Sequence, residues 1–270
     1  MSPGPKGEIA ESGLIEHSKR FVPKRWTVAE TVHCLVGWGL ANCTVIEAPD
    51  GLVVIDTGES VEEARDHIAQ IRSFTDAPVA AIVYSHFHYV SGTSAWLAES
   101  NDGTVPILAH HRLPGNVAGS TAETGPSWIR RALTQFGVYL PHDGPDAMPN
   151  MGIGPFMFNP EHTSRTAGYE PPTGLATEFP AQVDVGGIDA VLYSAPSDAD
   201  DSLVIATGTD AAHRQAQQPG ADEQEYGCRQ VTGLRTAVRS SQCREAGQRA
   251  GVAAGDGDAL GRARDARVAG

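Results

Sequence analysis

The sequence predicts an α/β protein, and three stretches carry that prediction. Residues 52–56 and 80–84 are short apolar runs rich in β-branched side chains, which read as buried strands. Between them, residues 60–73 have helical periodicity, with Val61, Ala64, Ile68 and Ile71 on one stripe. Strand, helix and strand in that order make a right-handed βαβ crossover.

Before this unit, residues 31–36 and 42–47 read as two strands joined through Gly37-Trp38-Gly39, so the sheet opens as an antiparallel meander. Ser60 stands at the helix start with Glu63 three residues on, a capping box. His67 lies beside the apolar stripe and reads as a helix-surface residue. Residues 93–99 form a short helix, 105–109 a further strand ending in His110-His111, and 127–139 a helix with Trp128, Ala132, Leu133 and Phe136 on one face. Residues 141–180 are rich in Gly and Pro and too long for an idle connection, which fits a rim or lid over a site. Residues 191–196 and 202–205 are strands flanking the acidic loop Ser197-Asp198-Ala199-Asp200-Asp201.

Three segments are expected: a loose lead-in over residues 1–25, a folded domain over 26–205, and a tail over 206–270. The lead-in holds all three lysines of the chain. The tail lacks Phe, Trp, Ile, Met and Lys and has one Tyr, so burying it would stabilise little. It reads as disordered or as out of register with an ancestral reading frame.

A formal charge of −13 argues against nucleic acid or an anionic membrane as partner. The four cysteines, Cys34, Cys43, Cys228 and Cys243, have no Cys-x-x-Cys spacing and read as thiols of a reducing compartment. No stretch approaches a membrane span, and residues 1–20 lack the apolar core of a signal peptide. A cytoplasmic location is expected; oligomeric state is left open.

The chemistry concentrates after the strand at 80–84, in Ser85-His86-Phe87-His88-Tyr89-Val90-Ser91-Gly92. Residues i and i+2 of an extended or tightly turning segment project to one side. His86 and His88 are therefore either two ordinary loop histidines or a pair able to meet one metal ion. Asp56 ends the preceding strand, where α/β sites are commonly built, and serves either to cap the turn at Gly58 or to orient a histidine or a water.

Asp56-Thr57-Gly58 followed about thirty residues later by His86-Phe87-His88 resembles the metallo-β-lactamase superfamily of metallohydrolases. That resemblance implies an αββα sandwich, here incomplete at its C-terminus. Where the family has Asp and His serving a second metal, this chain has Val90 and Ser91. Tyr139-Leu140-Pro141, Pro171-Pro172-Thr173, Val183-Asp184-Val185-Gly186-Gly187-Ile188 and Ser194-Ala195-Pro196 follow the order seen in its alkyl-sulfatase branch, over residues 30–205.

The branch implies an acidic metal ligand in the loop after residue 196. By position it is Asp201, with Asp200 as an alternative and His162 and His142 as rival third ligands. The implied centre is one zinc ion on His86, His88 and Asp201, acting through an activated water on a small ester such as an alkyl sulfate. Asp56 would orient a ligand or water, and Tyr89 either donates to a substrate oxygen or packs beside the pair. The alternative is a catalytically degenerate family member, which the Val90 and Ser91 replacements and the unusual tail favour.

Overall fold

Successive residues of one strand lie in two different cores, which is why the strands read as unbroken apolar runs. Leu52 and Val54 pack with Ala64, Ile71 and Trp96 on helices, whereas Val53 and Ile55 pack with Val185, Leu192 and Ile205 of a second sheet. Ile82 belongs to the first core, and Ala81 and Val83 to the second. A strand with period-two side chains meets two apolar layers only when both faces are covered. Each such Val, Leu or Ile contributes about 1.5–3 kcal/mol by leaving water.

The structure, a computed structural model, describes residues 1–122, 125–207 and 237–238. A two-residue pair, β1 (Ser2–Pro3) with β2 (Ile9–Ala10), and helix α1 (Ser12–Ser18) come first. The main sheet has seven strands: β3 (Lys24–Ala29), β4 (Val32–Val36), β5 (Cys43–Ala48), β6 (Gly51–Ile55), β7 (Val79–Val83), β8 (Ile107–His110) and β9 (Gly174–Ala176). They lie in chain order, antiparallel from β3 to β6 and parallel from β6 to β9. Helices α2 (Val61–Arg72), α3 (Thr93–Leu97) and α4 (Leu113–Thr121) each place residues in the core outside this sheet. Helix α5 (Gly125–Gln135) follows, and a second, antiparallel sheet pairs β10 (Ala181–Val185), β11 (Ile188–Ser194), β12 (Leu203–Thr207) and β13 (Ala237–Val238). The architecture is the mixed α/β one expected, with two sheets packed face to face.

The helix expected at residues 60–73 is present, and one half of its capping box forms: Ser60 Oγ accepts from the Glu63 amide at 3.1 Å, while Glu63 Oε1 has no hydrogen-bond partner. His67 differs from its expectation. It is fully buried, with the Trp38 ring edge-on at 6.0 Å, because the turn between β4 and β5 folds over that flank of the helix. Residues 1–21, expected to be loose, carry β1, β2 and α1 and hydrogen-bond to residues 145–150. Asn150 donates to the Leu14 carbonyl and to Ser18 Oγ, and the Ile9 amide to the Pro145 carbonyl. The expectation for the tail, apart from residues 206–207 and β13, lies outside the described residues. Among the described residues no helix is long and apolar enough to cross a membrane.

Candidate metal centre

The parallel strands β6, β7 and β8 end on the same edge, and the loops leaving that edge form the site. The loop after β6 is stitched to the loop after β7. The Thr57 amide donates to the Tyr89 carbonyl at 2.9 Å, the Ser91 amide to the Gly58 carbonyl at 3.1 Å, and Gly58 bridges Val90. Gly92 makes this contact possible, since a Cβ there would lie 2.0 Å from the Thr57 carbonyl oxygen and 2.6 Å from Ala64 Cβ. The second sheet joins the same edge where the Leu203 amide donates to the Ser85 carbonyl at 2.8 Å. That bond carries the Ser197–Asp201 loop over the two histidines.

His86, His88 and Asp198 each offer one ligand atom, and these atoms lie within 4.8 Å of one another. Asp198 Oδ2 is 3.6 Å from His86 Nε2 and 3.4 Å from His88 Nδ1. Two imidazoles and a carboxylate are donors that a divalent ion such as zinc accepts. The fit is tightest at His86, which is buried and whose Nε2 has no hydrogen-bond partner. Its other nitrogen is held: Ser85 Oγ lies 2.9 Å from His86 Nδ1 and donates to Asp56 Oδ2 at 2.6 Å. A hydroxyl whose hydrogen goes to the carboxylate accepts from Nδ1–H, which leaves the lone pair on Nε2 aimed at the other two donors.

Asp56 is placed for this by its backbone. Its φ of 59° lies in the left-handed region, which aspartate tolerates better than most residues, and its Oδ1 also accepts from the Ser85 amide at 2.8 Å. Burial pushes the Asp56 carboxyl up to about 7, against the two hydrogen bonds from Ser85 and with the help of the Asp198 and Asp201 charges. Burial holds the His86 imidazole down to about 4, with Asp198 opposing and His88 adding to the shift. Hydrogen bonding to His88, and then the nearby His86, hold Asp198 well below the ordinary carboxylate range despite partial burial. The pair of histidines thus faces an anion while His86 itself is kept neutral.

The structure places His86 and His88 side by side, and the carboxylate beside them is that of Asp198, not that of Asp201. The loop doubles back, with the Ser197 amide donating to the Ala199 carbonyl and Ser202 Oγ donating to the same carbonyl. This turn points Asp198 outward over the histidines and Asp201 inward. Asp201 is fully buried, and neither of its oxygens is in hydrogen-bonding geometry with a partner, although the Asn116 amide lies near enough to offset part of the burial that raises its pKa.

Asp200 faces solvent, bound by Arg112 at 3.0 Å and Asn116 at 2.8 Å. His162 pairs with Asp66 at 2.9 Å, and His142 is exposed; neither joins the group. His110 is buried, stacks on Phe179, and accepts from the Arg112 amide. Tyr89 packs edge-on to His86, with ring centres 5.0 Å apart, and against Leu40 and Ala41. Val90 is part of the apolar core between sheet and helices.

Three neighbours of the group carry no local sequence signal. Ser85 is one more residue of a loop until its hydroxyl is seen between Asp56 and His86. Trp128 of α5, half exposed, lies parallel to the His88 ring at 6.2 Å. Glu59 is pushed up to about 7 by burial, with Arg165 and His88 acting against the shift. Asp198 was visible only as one aspartate of three.

Comparison with known proteins gives a consistent family. Residues 36–174 match the family model described as the metallo-beta-lactamase superfamily. A linear primary-alkylsulfatase from a Pseudomonas strain is 33% identical over 165 residues, which is 60% of this chain and 30% of the relative. The alkyl/aryl-sulfatase BDS1 of Saccharomyces cerevisiae is 25% identical over 184 residues, 66% of this chain and 28% of that protein. Among solved structures, the stereoselective inverting sec-alkylsulfatase Pisa1 from Pseudomonas sp. superposes with a TM-score of 0.61 at 23% identity, over 72% of this chain and 31% of that one, a likeness of fold. The chain spans less than a third of the length of these relatives.

Proposed function

Because this chain belongs to the metallo-β-lactamase superfamily of hydrolases, we propose that it hydrolyses small sulfate esters of the alkyl sulfate kind with one zinc ion held by His86, His88 and Asp198. The observation that carries the reading is the convergence of three ligand atoms within 4.8 Å, one of them the partnerless Nε2 of a buried histidine. The sulfate-ester part draws on the alkylsulfatases to which the chain is similar. Bound there, such an ion supplies an acidified water at neutral pH and Lewis acidity toward the scissile group.

The protein's own residues prepare the place. Asp56 and Ser85 keep His86 in the tautomer that leaves Nε2 bare. Asp198 brings the negative charge that favours a cation. Tyr89 acts through His86 by fixing its ring, and Trp128 offers an aromatic wall beside His88 to the organic part of a substrate. A cytoplasmic location belongs to the same proposal. A second reading, a metal-binding but hydrolytically silent scaffold, is favoured by Val90, whose side chain is committed to the core instead of offering a donor.

The test is zinc content and hydrolysis of hexyl sulfate, with hexyl phosphate and a lactone alongside, for the wild type and a His86→Ala/His88→Ala variant. About one equivalent of zinc, lost together with hexyl sulfate hydrolysis in the variant, is expected. One equivalent with no turnover of any ester establishes the silent scaffold. A folded wild type that takes up no metal overturns both readings.

A further inference from the structure

The loop that carries Asp198 bonds mainly to itself. Between the end of β11 and the start of β12, the Ala195 amide donates to the Ser202 carbonyl and the Ser197 amide to the Ala199 carbonyl. Ser202 Oγ also donates to the Ala199 carbonyl, and Ser197 Oγ to Asp198 Oδ1. Among the described residues, the hydrogen bonds and ion pairs that leave residues 195–202 are those of Asp198 to the two histidines and those of Asp200. A tether other than Asp198 itself therefore comes from Asp200.

Asp200 grips a rigid platform. Its Oδ2 accepts from Arg112 Nη1 at 3.0 Å and its Oδ1 from Asn116 Nδ2 at 2.8 Å, one donor to each oxygen. Arg112 and Asn116 are four positions apart at the start of α4, so their side chains lie on one face of the helix. That end of the helix is fixed from both sides. Leu113 is fully buried in the core outside the main sheet, and the Arg112 amide donates to Nδ1 of His110, which is buried and stacked on Phe179. An exposed ion pair by itself adds little to stability. Here it joins a fixed helix start to a loop without periodicity, so what it sets is the position of the neighbouring carboxylate.

Taking His86, His88 and Asp198 as the zinc centre proposed above, we propose that Asp200 is a positioning residue. Held by Arg112 and Asn116, it keeps Asp198 over the two histidines before the ion arrives. An ion entering a preformed group does not have to order the loop, a cost otherwise subtracted from its affinity. Asp200 is not itself a ligand in this role. Its charge alone would also attract a cation, but the two effects part at the donors. Arg112 is positive, so removing it strengthens cation binding through charge and weakens it through a loosened loop. Asn116 is neutral and acts through the loop alone.

The test is zinc affinity of the full chain, by competition with a chromophoric chelator, together with amide hydrogen exchange of residues 195–202 in the zinc-free protein. The variants are Arg112→Ala, Asn116→Ala and Asp200→Ala, with Arg72→Ala as control, since the Arg72–Glu99 pair lies at the far end of α2. None of the three loop-tether side chains is buried, so the fold should persist, as near-ultraviolet circular dichroism checks. Each of the three is expected to lower zinc affinity about two- to fivefold, the range an exposed pair supplies, and to speed exchange in the loop, with the control unchanged in both. Asn116→Ala added to Asp200→Ala should cost nothing further. Tighter binding in Arg112→Ala, unchanged affinity in Asn116→Ala, unchanged loop exchange, or an equal loss in Arg72→Ala overturns the proposal and leaves the zinc centre standing. A wild type that takes up no zinc overturns the centre, and this role of Asp200 with it.

Discussion

The Asp56 carboxylate holds Ser85 at two points, accepting its amide at 2.8 Å on Oδ1 and its hydroxyl at 2.6 Å on Oδ2. The same hydroxyl lies 2.9 Å from His86 Nδ1, so a strand-end aspartate acts on a histidine 30 positions later through one intervening oxygen. Removing that oxygen in Ser85→Ala leaves Nδ1 unsupported and both tautomers open. Zinc affinity, measured by competition with a chromophoric chelator, should fall about 10- to 100-fold while the fold is retained.

Asp198 and Asp201 lie three positions apart in one loop and do different things. Asp198→Ala removes the carboxylate facing both histidines and should lose the stoichiometric zinc. Asp201→Ala removes a buried, unpartnered carboxylate and should keep it. Metal analysis after gel filtration checks both, and the reverse pattern would reinstate Asp201 as the ligand.

Gly92→Ala tests the junction of the two loops. The added methyl group would meet the Thr57 carbonyl oxygen at 2.0 Å, a backbone atom that moves only if the bridge between Gly58 and Val90 opens. Overpacking of this kind costs about 1–3 kcal/mol or more, to be read from the urea midpoint at constant slope.

His67 should make the protein acid-sensitive. Burial without a partner for either ring nitrogen lowers its pKa to about 3, while the unfolded chain protonates near pH 6.5. The folded state therefore binds fewer protons than the unfolded state between these values. The contribution of neutral His67 is fully present above about pH 6.5 and is lost as pH falls toward 3, by at most about 1.4 kcal/mol per unit. His67→Leu should flatten the fall between pH 6.5 and 4.5, measured by urea unfolding at each pH. Asp56, raised by burial, acts in the opposite direction in both proteins and cancels in the comparison.

The sheet was legible because its information is local. Period-two burial on both faces demands continuous apolar strands, and residues 52–56 and 80–84 have them. The capping of α2 was legible for the same reason, since Ser60 and Glu63 are three residues apart. His67 was misread because helical periodicity reports one face against the sheet and says nothing of a turn, here Trp38, folding over the flank. The short α4 and β9 went unseen in segments whose Gly and Pro content hides them.

The site divides the same way. By itself the sequence singled out the two histidines and the strand-end aspartate as candidates, because i and i+2 spacing and a strand's C-terminal end are properties of a few consecutive residues. Only the tertiary structure decided that Asp198 meets those histidines, that Ser85 links Asp56 to His86, and that Trp128 lies beside His88. Each of these depends on how a loop without periodicity turns, or on two segments far apart in sequence reaching one sheet edge. The direction of a side chain there is set by packing and backbone hydrogen bonds such as Leu203 to Ser85, which no spacing in the chain encodes.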